Sequence, residues 1–267
     1  MKIFLIIILT FHYTNIFPQT GWFEQETGVD VTLRSIQMVD DNTGYCVGGD
    51  ILFDAIDIGV IIKTTDGGSN WLTQTPPGFN KILYSVFFTN ALTGYACGKD
   101  KGSYTIFKTS NGGENWLQQT LPNITNTPPL HSIYFVNDNT GYSAGLGSAV
   151  FKTTNGGVVW EDFSFPFFSN FYSITFTNEN TGYIGSDGVI YKTTDGGNDW
   201  DTIHNTGSGG TAVRSIHFID DNTGYASGTG VILKTTNAGS NWNTLTFSVI
   251  ELYSIYFPSQ QTGYCSG

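Results

Sequence analysis

The stretch TTDGGSNW at residues 64–71 decides the fold, because close variants of it return four more times along the 267-residue chain. In every copy an Asp or Asn precedes a pair of small residues ending in Gly, and a Trp follows the Asp or Asn by five positions. The copies are Asp66 with Trp71, Asn111 with Trp116, Asn155 with Trp160, Asp195 with Trp200, and Asn237 with Trp242. A further Trp, Trp22, precedes them. Their spacing of about 44 residues indicates one repeated structural unit.

Two other markers return with the same period. The motif Thr-Gly-Tyr supplies Tyr45, Tyr95, Tyr142, Tyr183, Tyr225 and Tyr264. A Ser followed by Ile or Val precedes each of these motifs, at Ser35, Ser85, Ser132, Ser173, Ser215 and Ser254. Three markers in one constant order define a unit that begins at the Ser and ends just past the Trp.

Each unit predicts four short strands: one at the Ser, one at Thr-Gly-Tyr, one before the Asp or Asn, and one after the Trp. Four strands in about 44 residues are typical of a β-propeller blade. The fold class is therefore all-β, with five complete blades and a partial sixth, and we expect a fragment of a six- to eight-bladed ring. Period-two alternation in the first strands predicts apolar pairs that pack between blades: Ile36 and Met38, Val86 and Phe88, Ile133 and Phe135, Ile174 and Phe176, Ile216 and Phe218, Ile255 and Phe257.

The repeated turn has a structural explanation. An Asp or Asn oxygen accepts hydrogen bonds from backbone N–H groups, glycines permit positive φ, and the Trp ring covers the base of the hairpin. Calcium binding or catalysis is the alternative for such a series of acids, but three of the five positions carry Asn. Charge is therefore not required, and the same holds for the polar linkers before Thr-Gly-Tyr, where Asn90-Ala91-Leu92 replaces the acids seen elsewhere.

The amino terminus predicts export. Lys2 precedes an apolar run that ends near Phe11, followed by a more polar stretch, which is typical of a secretory signal peptide over residues 1–19. A run of about nine residues is too short for a transmembrane span, which needs roughly 20; a buried β-strand is the other alternative. We expect residues 20–267 to form the propeller, without a transmembrane span, and the mature protein to be secreted or on the cell surface.

Composition excludes some functions. The net charge is −11 and the chain has 11 Lys and Arg in total, only Arg34 and Arg214 being arginines, so nucleic-acid binding is not expected. The three cysteines, Cys46, Cys97 and Cys265, resemble small core residues rather than disulfide partners or metal ligands. No cofactor or metal is expected.

The residue before each Ser is the best candidate for ligand binding. These residues are Arg34, Tyr84, His131, Tyr172, Arg214 and Tyr253. All are large with a polar tip, and the first strand of a blade lines the centre of a propeller. They are therefore suited to a protein or carbohydrate partner. The alternative is that they only cover the ends of their strands.

The repeats TTDGGSNW and TTDGGNDW (residues 193–200), taken with Thr-Gly-Tyr-x-x-Gly and the Ser-Ile strand, resemble the Asp-box (BNR) repeat, and most of all the photosystem II stability and assembly factor-like propellers. The resemblance covers nearly all of residues 20–267. It implies that the Asp-box positions and their Trp residues are structural and lie on outer hairpins, away from a ligand face. Sialidases, xyloglucan-degrading glycosidases and sortilin-type receptors share such boxes, so the fold alone does not fix an activity.

These observations favour a secreted, non-catalytic β-propeller that acts as a protein- or glycan-binding scaffold. A sialidase site is not expected, because it needs three arginines and the chain has two. The alternative is a glycoside hydrolase acting on a polysaccharide, which needs two carboxylates about 5 to 10 Å apart.

Overall fold

The computed structural model describes residues 6–10, 25–52, 57–76, 79–101, 103–122, 128–206, 211–246 and 251–267. Trp22 and the expected signal-cleavage region near Gln19 lie outside them. The chain divides into two compact units: Gln19–Phe168, and Met1–Pro18 together with Ser169–Gly267. The first strand, β1 (Ile6–Thr10), belongs to the second of these units.

The unit Gln19–Phe168 contains three four-stranded antiparallel sheets, each ordered as in the sequence. Sheet 1 is β2 (Leu33–Met38), β3 (Gly44–Ile51), β4 (Asp57–Thr64) and β5 (Leu72–Thr73). Sheet 2 is β6 (Lys81–Phe88), β7 (Gly94–Asp100), β8 (Ser103–Thr109) and β9 (Leu117–Gln118). Sheet 3 is β10 (Leu130–Phe135), β11 (Gly141–Gly145), β12 (Val150–Thr153) and β13 (Glu161–Asp162), with a 3-10 turn at Leu146–Ser148.

The other unit contains two four-stranded sheets and one of three strands. Sheet 4 is β14 (Phe171–Phe176), β15 (Gly182–Ser186), β16 (Val189–Thr193) and β17 (Asp201–Asn205). Sheet 5 is β18 (Val213–Phe218), β19 (Gly224–Gly228), β20 (Val231–Thr235) and β21 (Asn243–Thr246). Sheet 6 is β22 (Ser254–Tyr256) and β23 (Thr262–Ser266), with β1 antiparallel to β23.

The Tyr of Thr-Gly-Tyr and the last aromatic residue of a first strand build the core between sheets. Tyr45 stacks on Phe88 of the next sheet with ring centroids 3.8 Å apart, and Tyr95 stacks on Phe135 at 3.9 Å. Tyr183 with Phe218 and Tyr225 with Phe257 repeat this pair. Each Phe ring also lies against the Gly of its own sheet's Thr-Gly-Tyr, where a Cβ would meet the ring at 2.3–2.6 Å. The motif thus supplies a Tyr that stacks on the next sheet and a Gly that leaves room for the Phe ring of its own sheet.

The expectation that every first-strand pair packs between blades is wrong for the first sheet. Ile36 is 61% exposed and Met38 is 43% exposed, whereas Val86, Ile133, Ile174, Ile216 and Ile255 are each at most 6% exposed. The reason is that, within the unit Gln19–Phe168, no described sheet precedes β2.

The sheets confirm the predicted fold class, an all-β propeller of four-stranded blades. Within the described ranges, no helix is long and apolar enough to cross a bilayer. The backbone at Ile6–Thr10 takes the third position of sheet 6, the buried-strand alternative for that segment. The signal peptide stays a prediction.

Candidate functional site

A β-bulge places the candidate ligand residues. In sheet 1, Leu33 pairs with Gly48 and Ser35 with Val47, so Arg34 is an extra residue that faces no partner in the ladder. The same register shift occurs in four more first strands, and its extra residues are Tyr84, His131, Tyr172 and Arg214. A bulge redirects the side chain of the extra residue. Five of the six sequence-predicted residues therefore lie at the same kind of β-bulge. The sixth, Tyr253, directly precedes β22.

In four of the five bulged sheets, the last Gly of Thr-Gly-Tyr-x-x-Gly makes room for the backbone just before the bulge. A Cβ at Gly48 would lie 2.0 Å from the carbonyl oxygen of Thr32, and one at Gly98 would lie 1.9 Å from that of Ile82. Gly145 and Gly228 meet Pro129 and Ala212 in the same way. In sheet 4, Ser186 takes this place. The Gly thus allows the first strand to approach closely just before the bulge.

In the unit Gln19–Phe168, the bulge residues Arg34, Tyr84 and His131 form a stack, which we call the N-terminal row. The Arg34 guanidinium lies 5.1 Å from the centroid of the Tyr84 ring, and the Tyr84 ring stacks on His131 with centroids 4.5 Å apart and an interplanar angle of 10°. Arg34 also donates to the Gly49 carbonyl and lies 3.8 Å from Asp50. The row is thus a series of flat, polar-edged groups held by cation–π and stacking contacts.

In the other unit, Tyr172, Arg214 and Tyr253 form the C-terminal row. The Arg214 guanidinium lies 5.1 Å from the centroids of both tyrosine rings. It also forms an ion pair with Glu251 at 3.1 Å, and Glu251 accepts a hydrogen bond from the Tyr253 hydroxyl. The cation is therefore held between two rings and balanced by a carboxylate.

Three carboxylates that hold the rows were not predicted from sequence: Asp50, Asp187 and Glu251. Asp187 accepts hydrogen bonds from the Tyr172 hydroxyl at 2.7 Å and from Asn170 at 2.9 Å. Burial and this hydrogen bond raise the pKa of Tyr172 to about 12. The hydrogen bond from Tyr253, together with Arg214, lowers the pKa of Glu251. Asp50 and Asp187 lie shortly after a Thr-Gly-Tyr motif, but no constant spacing marks them.

The Asp-box residues organise their turns. Asp66 Oδ1 accepts from the Thr64 hydroxyl at 2.9 Å and from the Asn70 N–H at 2.8 Å, while the Gly68 N–H donates to Thr64 Oγ1. The same three bonds recur around Asn111, Asn155, Asp195 and Asn237. Asp and Asn thus perform the same role. The turn around Asn237 keeps these bonds although Ala238 replaces the first Gly, and Ala238 has a φ of 53°. Each Trp that ends a box in sheets 2 to 5 packs edge-on against a Phe of its own sheet.

Three of the Asp-box turns are also held by the preceding sheet. The Tyr45 hydroxyl and Lys63 Nζ both donate to the carbonyl of Gly112, each at 2.8 Å. Tyr95 and Lys108 donate to Gly156, and Tyr183 and Lys192 donate to Ala238. We call this arrangement the Tyr–Lys clamp. It accounts for the Tyr of Thr-Gly-Tyr and the Lys of Lys-Thr as a structural pair.

No group of three or more potential metal ligands occurs among the residues that the structure describes. Cys46, Cys97 and Cys265 are buried free thiols. Each carboxyl with a shifted pKa in these residues is shifted downward, namely Asp40, Asp66, Asp195, Asp220 and Glu251, because each accepts hydrogen bonds. The arrangement offers ring faces, two guanidinium groups and ionised acids.

Comparison with known proteins agrees with the propeller fold. The family model described as "Photosynthesis system II assembly factor YCF48" matches residues 158–250. No curated protein sequence matches the chain.

Among solved structures, YCF48 from Cyanidioschyzon merolae aligns with a TM-score of 0.64 and 18% identity, over 89% of this chain and 92% of its own. YCF48 bound to D1 peptide aligns with a TM-score of 0.49 and 15% identity, over 93% and 96%. An ancestral GH74 enzyme aligns with a TM-score of 0.63 and 20% identity, over 85% of this chain and 33% of the enzyme. At these identities the structural likeness shows the fold. The chain is thus an Asp-box repeat β-propeller that resembles the photosystem II assembly factor family, whose model it matches in its second half.

Proposed function

We propose that this protein is a secreted, non-catalytic β-propeller that binds a protein partner, and that the N-terminal row and the C-terminal row are each a contact site within their own unit. The observation that carries the proposal is the bulge repeated in five first strands. An extra residue costs ladder hydrogen bonds, and each time it presents Arg, Tyr or His. Bulges of this kind are enriched next to functional sites.

The chemistry of the rows fits an extended polypeptide. The cations are balanced by acids, Arg34 by Asp50 and Arg214 by Glu251, so the rows do not attract an anion strongly. They offer flat apolar faces with hydroxyl, imidazole and guanidinium edges, which suit peptide groups and apolar side chains. A glycan would use similar groups. The matched family is described as an assembly factor, and this favours a protein.

The state of Glu251 argues against a general acid in the C-terminal row. Glycoside hydrolysis requires one carboxyl that stays protonated near neutral pH as the general acid. In the C-terminal row the pKa of Glu251 is lowered, because Tyr253 and Arg214 both favour its charged form. The GH74 fold likeness makes a glycoside hydrolase the second candidate. Release of reducing ends from a polysaccharide panel by the purified protein would favour that candidate.

Two tyrosines of one segment provide a matched test. Tyr253 belongs to the C-terminal row and is 54% exposed. Tyr256, three residues on, is 55% exposed and packs against His217 with the ring planes tilted by 54°. Peptides would be selected from a random display library on the full chain, and their Kd values then measured by calorimetry. We expect Tyr253→Ala to weaken binding about tenfold or more and Tyr256→Ala to change it less than about twofold. Equal effects of the two substitutions would contradict the proposed site.

Secretion has its own test. Expression of the entire chain in a bacterium with a general export pathway, followed by intact mass measurement, should give a product without residues 1–19 outside the cytoplasm. Retention of Ile6–Thr10 in the exported or cytoplasmic protein would instead assign that segment to sheet 6 as a permanent strand.

A further inference from the structure

A polar cleft lies at the hairpin between β7 and β8, within the unit Gln19–Phe168. Its volume is about 480 Å³, which falls in the range of small-molecule sites, roughly 300–1,000 Å³. The start of β6, the hairpin and the outer strand β9 supply six polar side chains to it: Asn80, Lys81, Asp100, Lys101, Ser103 and Gln118. The cleft shares no residue with the N-terminal row and is therefore a separate candidate site.

The lining of the cleft favours a hydrophilic ligand. Each of the six side chains carries an amide, a hydroxyl or a charge, and Tyr104 adds an aromatic ring whose hydroxyl donates to the Pro122 carbonyl. An apolar ligand would displace water from these groups without replacing its hydrogen bonds, which costs affinity. A molecule with several hydroxyl groups can both donate to and accept from such side chains, so the lining suits a sugar.

An ion pair fixes one part of the cleft. Lys81 Nζ lies 3.1 Å from Asp100 Oδ2, and both side chains are partly buried. The two residues are partners in the ladder between β6 and β7, so their backbones are also held together. A donor and an acceptor thus stand side by side in a fixed arrangement. This arrangement matches two adjacent hydroxyl groups of a sugar, of which one accepts from Lys81 and the other donates to Asp100.

Lys101 is a cation that the fold does not use. The other cations in the described ranges contact a carboxylate, a carbonyl oxygen or an aromatic ring; they are Arg34, Lys63, Lys81, Lys99, Lys108, Lys152, Lys192, Arg214 and Lys234. Among the residues that the structure describes, the side chain of Lys101 makes no such contact. Since Asp100 already balances Lys81, Lys101 leaves the cleft with one positive charge for a ligand.

The backbone at Lys101 is a second, independent observation. β7 and β8 pair as far as Asp100 and Ser103, so two residues connect them. Lys101 has a φ of 49°, in the left-handed region, which Gly, Asn or Asp adopts at lower cost than Lys. Among the described residues other than Gly, only Ser148 and Ala238 also have a positive φ. The turn gains nothing from a Lys at this place, whereas the cleft gains its unbalanced charge.

We propose that this cleft binds a sugar acid, a polyhydroxylated molecule with one carboxylate. Lys101 pairs with the carboxylate, and the Lys81–Asp100 pair holds two adjacent hydroxyl groups. The remaining hydroxyl groups meet uncharged polar side chains, namely Asn80, Ser103 and Gln118. The site does not depend on the protein partner proposed above, because it uses neither row.

Titration of monosaccharides into the 267-residue chain tests the proposal. Glucuronate and galacturonate would be compared with glucose and galactose, which carry a hydroxymethyl group where the acids carry a carboxylate. By calorimetry at low ionic strength, we expect at least one acid to bind about tenfold or more tightly than its neutral counterpart, and the preference to shrink in about 0.5 M salt. Equal affinities of acid and neutral sugar would overturn the proposal, and so would no binding of either acid up to about 10 mM.

Two variants of Lys101 separate its charge from the turn. Lys101→Asn keeps a residue that suits a positive φ but removes the charge, so we expect the Kd of the preferred acid to rise about tenfold, to that of the neutral sugar. Lys101→Arg keeps the charge and should stay within about threefold of the wild-type chain. An acid that binds Lys101→Asn as tightly as wild type would contradict the assignment. Thermal melts confirm that both variants fold.

Adjacent residues of β9 give a matched control. Gln118 lines the cleft, whereas Leu117 does not. We expect Gln118→Ala to weaken binding of the preferred acid about threefold or more and Leu117→Ala to change it less than about twofold. Inorganic phosphate provides the last comparison. If it displaces the sugar acid and binds Lys101 as tightly, the cleft holds any small anion and the proposed selectivity for a sugar acid is wrong.

Discussion

The Tyr95 hydroxyl lies 2.8 Å from the carbonyl oxygen of Gly156, 61 residues further along the chain, and Lys108 Nζ donates to the same oxygen at 2.6 Å. One carbonyl of an Asp-box turn in sheet 3 therefore receives two donors from sheet 2. Since the contact is long-range and buried, it joins two sheets of the unit Gln19–Phe168 that local sequence alone would not connect.

The two donors of this clamp should not contribute additively to stability. Tyr95→Phe or Lys108→Met leaves the carbonyl with one donor, so we expect each to lower the free energy of unfolding by about 1 kcal/mol. The double variant leaves a buried carbonyl unsatisfied, and its loss should exceed the sum by about 0.5 kcal/mol or more. Urea denaturation of the four proteins measures this coupling. Strict additivity would show that the donors act independently.

Ala238 should be a stabilising position for Gly. Its φ of 53° is unfavourable for a residue with a Cβ, and Gly fills the same place in the other Asp boxes. We expect Ala238→Gly to raise the free energy of unfolding by about 0.5–1 kcal/mol. The reverse change in sheet 2, Gly112→Ala, at a φ of 64°, should lower it by a similar amount. Thermal melts would reveal both, and a Tm that falls for Ala238→Gly would refute the strain argument.

The Asp-box oxygen should matter more than its charge. Asn111 Oδ1 accepts from the Thr109 hydroxyl and from the Asn115 N–H, both at 3.0 Å. Asn111→Asp keeps this acceptor and should change the free energy of unfolding by less than about 0.5 kcal/mol. Asn111→Leu removes it and should cost about 1–2 kcal/mol. If the two substitutions are equally damaging, the amide group itself is needed.

The Gly opposite each bulge should resist substitution. Gly98→Ala would place a Cβ 1.9 Å from the Ile82 carbonyl oxygen, so we expect a loss of about 2–3 kcal/mol and a displaced Tyr84. Ser186 has the equivalent place in sheet 4, and its hydroxyl donates to the Val189 carbonyl at 3.1 Å. Ser186→Ala should therefore cost only about 1 kcal/mol. Equal losses at the two positions would mean that the close approach is not the cause.

Stability should fall in alkaline solution. Burial raises the pKa of Cys97 from 9.0 to about 12, so between these values the unfolded thiol loses its proton while the folded one keeps it. The unfolded state then binds fewer protons, and the free energy of unfolding decreases as pH rises from about 9 to 12, by up to about 1.4 kcal/mol per pH unit for this group. Cys97→Ala should make the decrease shallower. An identical slope in wild type and variant would show that Cys97 does not contribute to it.

The strand order of each sheet could be predicted because every complete repeat of the sequence contains a core Tyr, a turn motif and a Trp whose ring covers the turn. The bulges could not be predicted, since the alternation of apolar and polar residues in a first strand fits a regular strand as well as one with an extra residue. The Gly at Gly48 or Gly98 indicates a close approach, but the carbonyl it meets lies on another strand. For the same reason the partner acids of the rows were missed: Glu251 lies 37 positions after Arg214 and reaches it only once the chain between them has folded.

Ile36 illustrates a different limit. Its alternation with Met38 correctly predicts an apolar face, yet the exposure of that face depends on which sheet lies in front of it. No property of β2 itself records that neighbour. The alternation of residues along a strand indicates whether a face is suited to apolar contact. Which element makes that contact depends on other parts of the polypeptide.

The Tyr–Lys clamp also bears on how such a protein can change length over time. The clamp recurs from sheet 1 to sheet 2, from sheet 2 to sheet 3 and from sheet 4 to sheet 5. A duplicated gene segment of one such repeat therefore carries both the Tyr and Lys donors and an acceptor turn. The new copy can form the same clamp hydrogen bonds with the repeats on either side. After an in-frame deletion of one repeat, the two repeats that become neighbours can form them too. The number of repeats can therefore change by whole repeats without leaving the donors or the acceptor of a clamp unpaired. The residues at the bulges are not part of the clamp, and they remain free to diverge.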